Sequence, residues 1–144
     1  MPRVPREASE GRLPYRAYER QGFTILVGRG ASDNDRLTFE VASPDDLWLH
    51  VSGWSGSHVL VRAAPDGAPP PRAVIEEAAR LAAWHSKARG SRGKIEVHVC
   101  RAGDVHKPRG MAAGKVVLNR FDVVRVYATA PPEEDSPEPL RSER

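Results

Sequence analysis

Two histidines and a tryptophan stand close to the ends of a short Gly/Ser loop. Residues 46–50 read Asp-Leu-Trp-Leu-His, and residues 56–61 read Gly-Ser-His-Val-Leu-Val. The alternation and the β-branched side chains predict two strands that flank the loop. An ordinary hairpin does not require so many polar and aromatic side chains at one turn, so the pattern indicates a binding site. The alternative is that they only pack and hydrogen-bond within the fold. The residues concerned are Trp48, His50, Ser57 and His58.

The same histidines raise the question of catalysis. His50 and His58 are eight residues apart, and the sequence has no HExxH, no HxH and no clustered carboxylates, the patterns that hold a catalytic metal. Ser57 is the chain neighbour of His58, and neighbours on a strand point to opposite faces, which is poor geometry for a nucleophile and its base. We therefore predict no catalytic residue, no metal site and no cofactor, and interpret the chain as non-enzymatic.

Two loops carry groups that suit a phosphate. Arg29 lies between two glycines, which let a ligand approach the backbone, and its guanidinium could hold a phosphate through two hydrogen bonds. Asn34 and Asp35 in the same loop more often shape turns, and a structural role is favoured for them. Lys107 and Arg109 belong to a second loop, which proline stiffens, so that binding a phosphate would order it at less entropic cost. Lys115 follows at the start of a predicted strand.

A further group lies near the end of a predicted helix. Arg80, Trp84 and Lys87 have helical spacing, and an aromatic ring between cations suits nucleic acid, because the ring stacks on a base while the cations neutralise phosphates. Arg89 follows, and Ser86 adds a hydroxyl donor. The alternative is a half-buried tryptophan beside solvated cations.

The net charge of +3 conceals an uneven distribution. Between residues 80 and 125, eleven Lys and Arg oppose three acids, so this stretch carries 11 − 3 = +8. Residues 131–144 are acidic. A basic half of this kind is expected for a polyanionic partner such as nucleic acid, and the alternative is a basic surface kept for solubility.

Length and composition bound the class of protein. A chain of 144 residues suits one domain with a sizeable core, and a single cysteine excludes an internal disulfide. No apolar run has the length of a membrane span, and the N-terminus lacks the apolar stretch of a secretion signal. We expect a cytoplasmic protein with no membrane association. Residues 1–20 and 131–144 are predicted to be flexible tails around one domain, 21–130.

The elements that must position these groups follow from periodicity. Alternating or short apolar segments predict strands at residues 22–28, 36–42, 46–51, 57–63 and 94–101, and a closing hairpin of 115–118 with 122–128. Residues 28–35 and 103–114 are predicted to be loops. An Ala-, Glu- and Leu-rich stretch predicts one principal helix at about 72–89, with an apolar stripe that includes Val74, Ala78, Leu81 and His85. The fold class is α+β, a largely antiparallel sheet covered by this helix.

Taken in order, these segments resemble one family, the NFACT-R domain, which is the RNA-binding domain of the NFACT proteins of ribosome quality control. The motifs are residues 22–29 (GFTILVGR), 34–38 (NDRLT), 46–50 (DLWLH), 56–59 (GSHV), 83–89 (AWHSKAR), 107–108 (KP) and 114–116 (GKV). Gly30, Leu49 and Ala113 depart from the residues that the family usually has. No NFACT-N domain, helix-hairpin-helix or coiled coil accompanies the motifs, so we expect a stand-alone version.

The resemblance implies RNA as the partner, either tRNA or rRNA, with the large ribosomal subunit as its setting. The contact set that it implies is Arg29, Asn34, Asp35, Trp48, His50, Ser57, His58, Ser86, Lys87, Arg89, Lys107 and Lys115. Two other functions remain open: a protein-interaction module of a ribosome-associated quality-control or translation factor, and a binder that prefers DNA, since phosphate contacts do not distinguish the sugar.

Overall fold

An antiparallel sheet of six strands forms the body of the protein in the computed structural model, which describes residues 13–131. The strands are β1 (Tyr15–Arg20), β2 (Phe23–Gly28), β3 (Leu47–Val51), β4 (Val59–Val61), β5 (Ile95–Arg101), β6 (Val105–His106), β7 (Val117–Leu118) and β8 (Asp122–Val126), and the helices are α1 (Ala31–Arg36) and α2 (Arg72–Trp84). The main sheet has the order β1-β2-β4-β3-β5-β8, and β6 pairs with β7 apart from it. The predicted α+β fold is confirmed.

Both faces of the sheet are buried, since alternate side chains point to opposite sides. Leu49 and Val59 pack with α2 side chains such as Val74. Their chain neighbours Trp48 and Leu60 belong to a second apolar cluster on the other face. Each fully buried aliphatic side chain of this kind stabilises the fold by about 1.5–3 kcal/mol. Helix α2, which the apolar stripe predicted, therefore covers only one of the two faces of the main sheet.

The segment after β2 was predicted to be a loop over 28–35 and a strand over 36–42, and the structure shows neither. Instead α1 occupies most of the loop, and a π-helical turn, Leu37–Val41, continues it. A hydrogen bond from the backbone N–H of Ala42 to the carbonyl of Leu37, 3.0 Å, closes the turn. Both predictions are wrong for this segment.

Burial explains why the alternation misled. Leu37 and Thr38 are adjacent and both buried, whereas Phe39 is 43 % exposed. Neighbours on a strand point to opposite faces, so this pattern belongs to a helical turn. Leu37 packs beside Trp48 and covers the second face of the sheet. The apolar residues at alternate positions were coincidental.

Helix α2 is shorter than the predicted 72–89 and ends at its thirteenth residue. Beyond its end the backbone pairs with a loop: the N–H of Ser57 donates to the carbonyl of His85 at 3.0 Å, and the N–H of Lys87 donates to that of Ser55 at 2.9 Å. These bonds replace the helical ones that another turn would have made. The predicted C-terminal end is therefore wrong.

Two pairings near the chain ends also correct the prediction. Residues 15–20, assigned to the N-terminal tail 1–20, form the edge strand β1 opposite β2. The segments expected to form a closing hairpin do not pair with each other, because β7 pairs with β6, inside the predicted loop, and β8 pairs with β5. The remainder of the predicted N-terminal tail up to residue 12, and the acidic tail from residue 132, lie outside the described residues.

Two smaller findings concern cysteine and membranes. Cys100 is buried and free, and burial raises the pKa of its thiol to about 12. Within residues 13–131, no helix combines the length and the apolar character that crossing a membrane requires.

Candidate nucleic-acid interface

A groove of about 1110 Å³ crosses one end of the main sheet. Four strands of the main sheet contribute lining residues: Arg16 from β1, Gly28 from β2, His50 from β3 and His98 from β5. His50 lies directly opposite His98. The loops that follow these strands complete its walls. Because the strands are antiparallel, segments distant in sequence meet at this end.

Ten of the twelve residues predicted to contact RNA line this groove. They are Arg29, Asn34, Trp48, His50, Ser57, His58, Ser86, Lys87, Arg89 and Lys115. The other two, Asp35 and Lys107, are not among the lining residues. The structure thus brings most of the predicted set to one place, and whether each residue touches RNA stays a prediction.

A directional chain of hydrogen bonds holds the aromatic centre of the groove. The indole N–H of Trp48 donates to the Thr38 hydroxyl at 3.0 Å, and that hydroxyl lies 2.7 Å from Nδ1 of His58. Nε2 of His58 lies 3.2 Å from the carbonyl of Gly114. The lowered pKa of His58 makes the neutral imidazole the form present at neutral pH. In that form the carbonyl of Gly114, which only accepts, requires the proton on Nε2, so Nδ1 accepts from the Thr38 hydroxyl. Both ring nitrogens of His58 are then hydrogen-bonded.

The three rings of this centre pack together. The centroid of Trp48 lies 5.0 Å from that of His58 and 5.9 Å from that of His50, and the two imidazoles are 5.5 Å apart. Burial, with a smaller contribution from His50, lowers the pKa of His58 to about 4. Burial also lowers the pKa of His50. The centre is uncharged at neutral pH, and among the described residues no three His, Cys, Asp or Glu are grouped as metal ligands.

This protonation state predicts acid destabilisation. Folded His58 has a pKa of about 4, whereas an unfolded histidine titrates near 6.5. Between these values the unfolded state binds more protons, so the free energy of unfolding falls as the pH drops from about 6.5 to about 4, by about 3 kcal/mol for this residue. The lowered pKa of His85 acts in the same direction. Urea unfolding at several pH values measures the slope, and His58→Gln should flatten it; an unaltered slope would contradict the assignment.

Asn34 is a structural residue of the groove wall. Its Oδ1 accepts the backbone N–H of His58 at 3.0 Å, and its Nδ2 donates to the carbonyl of Gly56 at 3.3 Å. A Cβ at Gly28 would lie 2.1 Å from the same Oδ1, so only glycine fits there. Asn34 thereby ties α1 to the loop before β4, in agreement with the structural role favoured from its type.

Asp35 and Lys107 shape the neighbouring loop rather than the groove. Asp35 accepts the backbone N–H of Gly114 at 3.1 Å, and the Lys107 ammonium lies 3.4 Å from its carboxylate. Lys107 also donates to the carbonyls of Ala112 and Lys115. These bonds fold the loop so that Lys115 lies at the groove, which assigns both residues a positioning role.

The cations that line the groove do not all belong to the basic stretch, residues 80–125. Five of them, and no carboxylate, are found among the described residues that line it: Arg16, Arg29, Lys87, Arg89 and Lys115. Only three of these belong to residues 80–125. Four others from that stretch are paired with carboxylates elsewhere: Arg80 with Glu77, Arg101 with Asp45, Lys107 with Asp35, and Arg125 with Glu96.

The cation–aromatic face predicted for the helix end takes another form. Because α2 ends at Trp84, Lys87 leaves the helix and lines the groove instead. Arg80 lies 3.5 Å from Glu77, and the guanidinium carbon of Arg89 lies 4.5 Å from the centre of the Trp84 ring. Trp84 is thus partnered by an arginine of the chain and is not among the groove-lining residues.

The predicted contact set does not include every residue of the groove, and Trp54, Arg16 and His85 are among those outside it. Trp54, 51 % exposed, lies in the Gly/Ser loop, where an aromatic side chain between Gly53 and Ser55 has no strand to carry it into the core. That placement was the available signal. Arg16 fell within the predicted tail, and His85 was assigned to the apolar face of the helix, although it lies one residue beyond the end of α2.

Comparison with known proteins agrees with this architecture. The sequence profile described as NFACT protein RNA binding domain matches residues 14–120. The chain is 41 % identical over 109 residues to the Rqc2 homolog RqcH of Bacillus subtilis (strain 168), and 39 % identical over 105 residues to that of Streptococcus suis (strain 05ZYH33). These matches cover 76 % and 73 % of this chain, but only 18 % of either relative.

A solved structure shows the same fold. It is the C-terminal part of the fibronectin/fibrinogen-binding protein from Streptococcus suis, with a TM-score of 0.74 and 37 % sequence identity. The similarity covers 83 % of this chain and 47 % of that one. The profile match over most of the described residues agrees with the motifs and with the fold. The chain therefore belongs to the family of NFACT RNA-binding domains.

Proposed function

We propose that this chain is a non-enzymatic RNA-binding module that binds tRNA or rRNA through the groove. Its family and its similarity to proteins named RqcH support RNA as the ligand. We place its action in the cytoplasm, in ribosome-associated quality control, with the large ribosomal subunit as the wider partner.

The charge of the groove carries this proposal. Five cations, and no carboxylate, are among the described residues that line it. Lys87, Arg89 and Lys115 form no ion pair with any carboxylate in residues 13–131. Phosphate contacts by such side chains supply most of the sequence-independent affinity for nucleic acid.

The state of His58 supports a binding role for this histidine rather than a catalytic one. Both ring nitrogens of His58 are occupied, by Thr38 and by Gly114. An imidazole with no free nitrogen cannot accept a proton from a substrate without losing one of these bonds. The Ser57 hydroxyl donates a hydrogen bond to the carbonyl of Gly28 at 2.7 Å, and not to a histidine.

RNA affinity is expected to depend on salt. If roughly 3–5 cations contact phosphates, the slope of log affinity against log salt is about −2 to −4. Fluorescence anisotropy of labelled tRNA at increasing potassium chloride measures it. An affinity that does not change between low and physiological salt would remove the electrostatic basis of the proposal. Competition between matched RNA and DNA oligomers tests the choice of sugar.

A protein-interaction module is the second candidate, and the edge strand β8 favours it. Val123 in that strand is 39 % exposed, and Phe121 and Tyr127 on either side of it are 47 % and 54 % exposed. Exposed apolar side chains on a strand edge suit a protein partner. Affinity purification with and without nuclease separates the two functions, because only an RNA binder loses its associates when RNA is digested.

A further inference from the structure

We propose that the groove holds one unpaired nucleotide, with its phosphate between Arg16, Arg29 and Arg89 and its base against the indole of Trp54. The inference rests on the proposed RNA binding and names the RNA element that the groove takes. That element is a single-stranded segment, such as a loop or a bulge, rather than a duplex.

The phosphate half of this site is built where three segments converge. Ser57 joins two of them, because its backbone N–H donates to the carbonyl of His85 at 3.0 Å and its hydroxyl donates to that of Gly28 at 2.7 Å. Arg29 is the next residue after Gly28, and its backbone N–H donates to the carbonyl of Pro14, which precedes β1, at 3.3 Å. Arg16 projects from that strand and also lines the groove. The imidazole of His85 therefore marks the meeting point.

The charges at this point favour an anion. Burial lowers the pKa of His85 to about 4, and the positive charges of Arg16, Arg89 and Arg29 contribute to that lowering. Nε2 of His85 is buried and has no hydrogen-bond partner among the described residues. The three guanidinium groups thus lie close enough to one neutral imidazole to act on its pKa, which places their N–H donors around a single point of the groove. Guanidinium N–H groups also match the geometry of phosphate oxygens.

The base half is the exposed indole. Trp54 is 51 % exposed and follows Gly53, whose φ of 76° lies in the left-handed region that favours glycine. The carbonyl of the next residue, Ser55, accepts the backbone N–H of Lys87 at 2.9 Å. This bond holds the loop that carries the indole beside the segment of Lys87. An aromatic face next to cations suits stacking on a base. Bases within a duplex already stack on each other, so only an unpaired base can present its face.

The test compares RNAs and variants by fluorescence anisotropy. Short labelled single-stranded RNA should bind more tightly than a blunt duplex of the same length. Trp54→Ala should weaken single-strand binding at least about fivefold while the salt slope stays the same, because stacking carries no charge. Arg29→Gln should reduce the magnitude of the slope by about 0.7, one phosphate contact on a single strand. Arg80→Gln is the matched control, since Arg80 is paired with Glu77 outside the groove, and it should change neither quantity.

A second readout tests the phosphate position. Nuclear magnetic resonance of the His85 ring should show its pKa rising when single-stranded RNA binds, because the phosphate offsets the neighbouring guanidinium charges. The same pKa in the bound and the free protein would show that the phosphate lies elsewhere. Equal affinity for duplex and single strand, or full affinity in Trp54→Ala, would overturn the inference and leave RNA binding intact. Failure of the wild-type chain to bind any RNA would remove both.

Discussion

Replacing Thr38 with valine is expected to lower the free energy of unfolding by about 3 kcal/mol. Valine has nearly the shape of threonine but no hydroxyl, so the indole N–H of Trp48 and Nδ1 of His58 lose their shared partner. Both side chains are 1 % exposed, so water does not replace the lost bonds. Each buried polar group left without a partner costs about 1–3 kcal/mol. Denaturant unfolding measures the difference.

Two further variants make this measurement specific. Thr38→Ser keeps the hydroxyl and should restore most of the lost stability. Thr24→Val removes a hydroxyl that donates to Glu19 at the exposed surface, 2.9 Å away, and should change stability by only about 0.5 kcal/mol. If Thr38→Val were no more destabilising than Thr24→Val, the hydrogen-bond chain between the indole and the imidazole would be refuted.

The network of Thr38 also shows what sequence patterns can and cannot predict. The strands that carry Trp48 and His58 followed from alternation, because side chains on a strand point to opposite faces. The residue that joins them did not, since Thr38 lay in a segment whose alternation predicted a strand. Helix and strand preferences are weak compared with tertiary packing. Packing of Leu37 against the sheet decided that segment.

The sequence predicted the groove residues that lie within the family motifs. Ten of the twelve residues that the family resemblance implied line one groove. Trp54 and Arg16 lie outside those motifs and were missed. Arg16 enters the groove only because β1 pairs with β2, and strand pairing between segments is a long-range property that local patterns do not reveal.

Charge illustrates the same limit. The basic stretch between residues 80 and 125 suggested one cationic surface, yet Arg101 and Arg125 are neutralised by Asp45 and Glu96. Counting charges along a sequence does not show which of them meet an acid across the fold. This division within one stretch provides a matched pair of double variants.

Lys87→Ala combined with Arg89→Ala is expected to weaken RNA binding at least about 100-fold, because each substitution removes a charge-assisted contact worth about 1.5–3 kcal/mol. The magnitude of the salt slope should fall by about 1.4, since two phosphate contacts on a single strand are lost. Both side chains are exposed, so melting should remain cooperative and near the wild-type temperature. Anisotropy titrations at several salt concentrations measure the affinity and the slope together.

Arg101→Ala combined with Arg125→Ala is the control, because it removes the same net charge from positions that are paired with Asp45 and Glu96 outside the groove. A general attraction between a basic protein and RNA would weaken equally in both double variants. A defined groove loses affinity only when its own cations are removed. Equal losses would therefore exclude the groove as the site, whereas a loss confined to Lys87 and Arg89 locates the bound phosphates there, whatever the net charge of the chain.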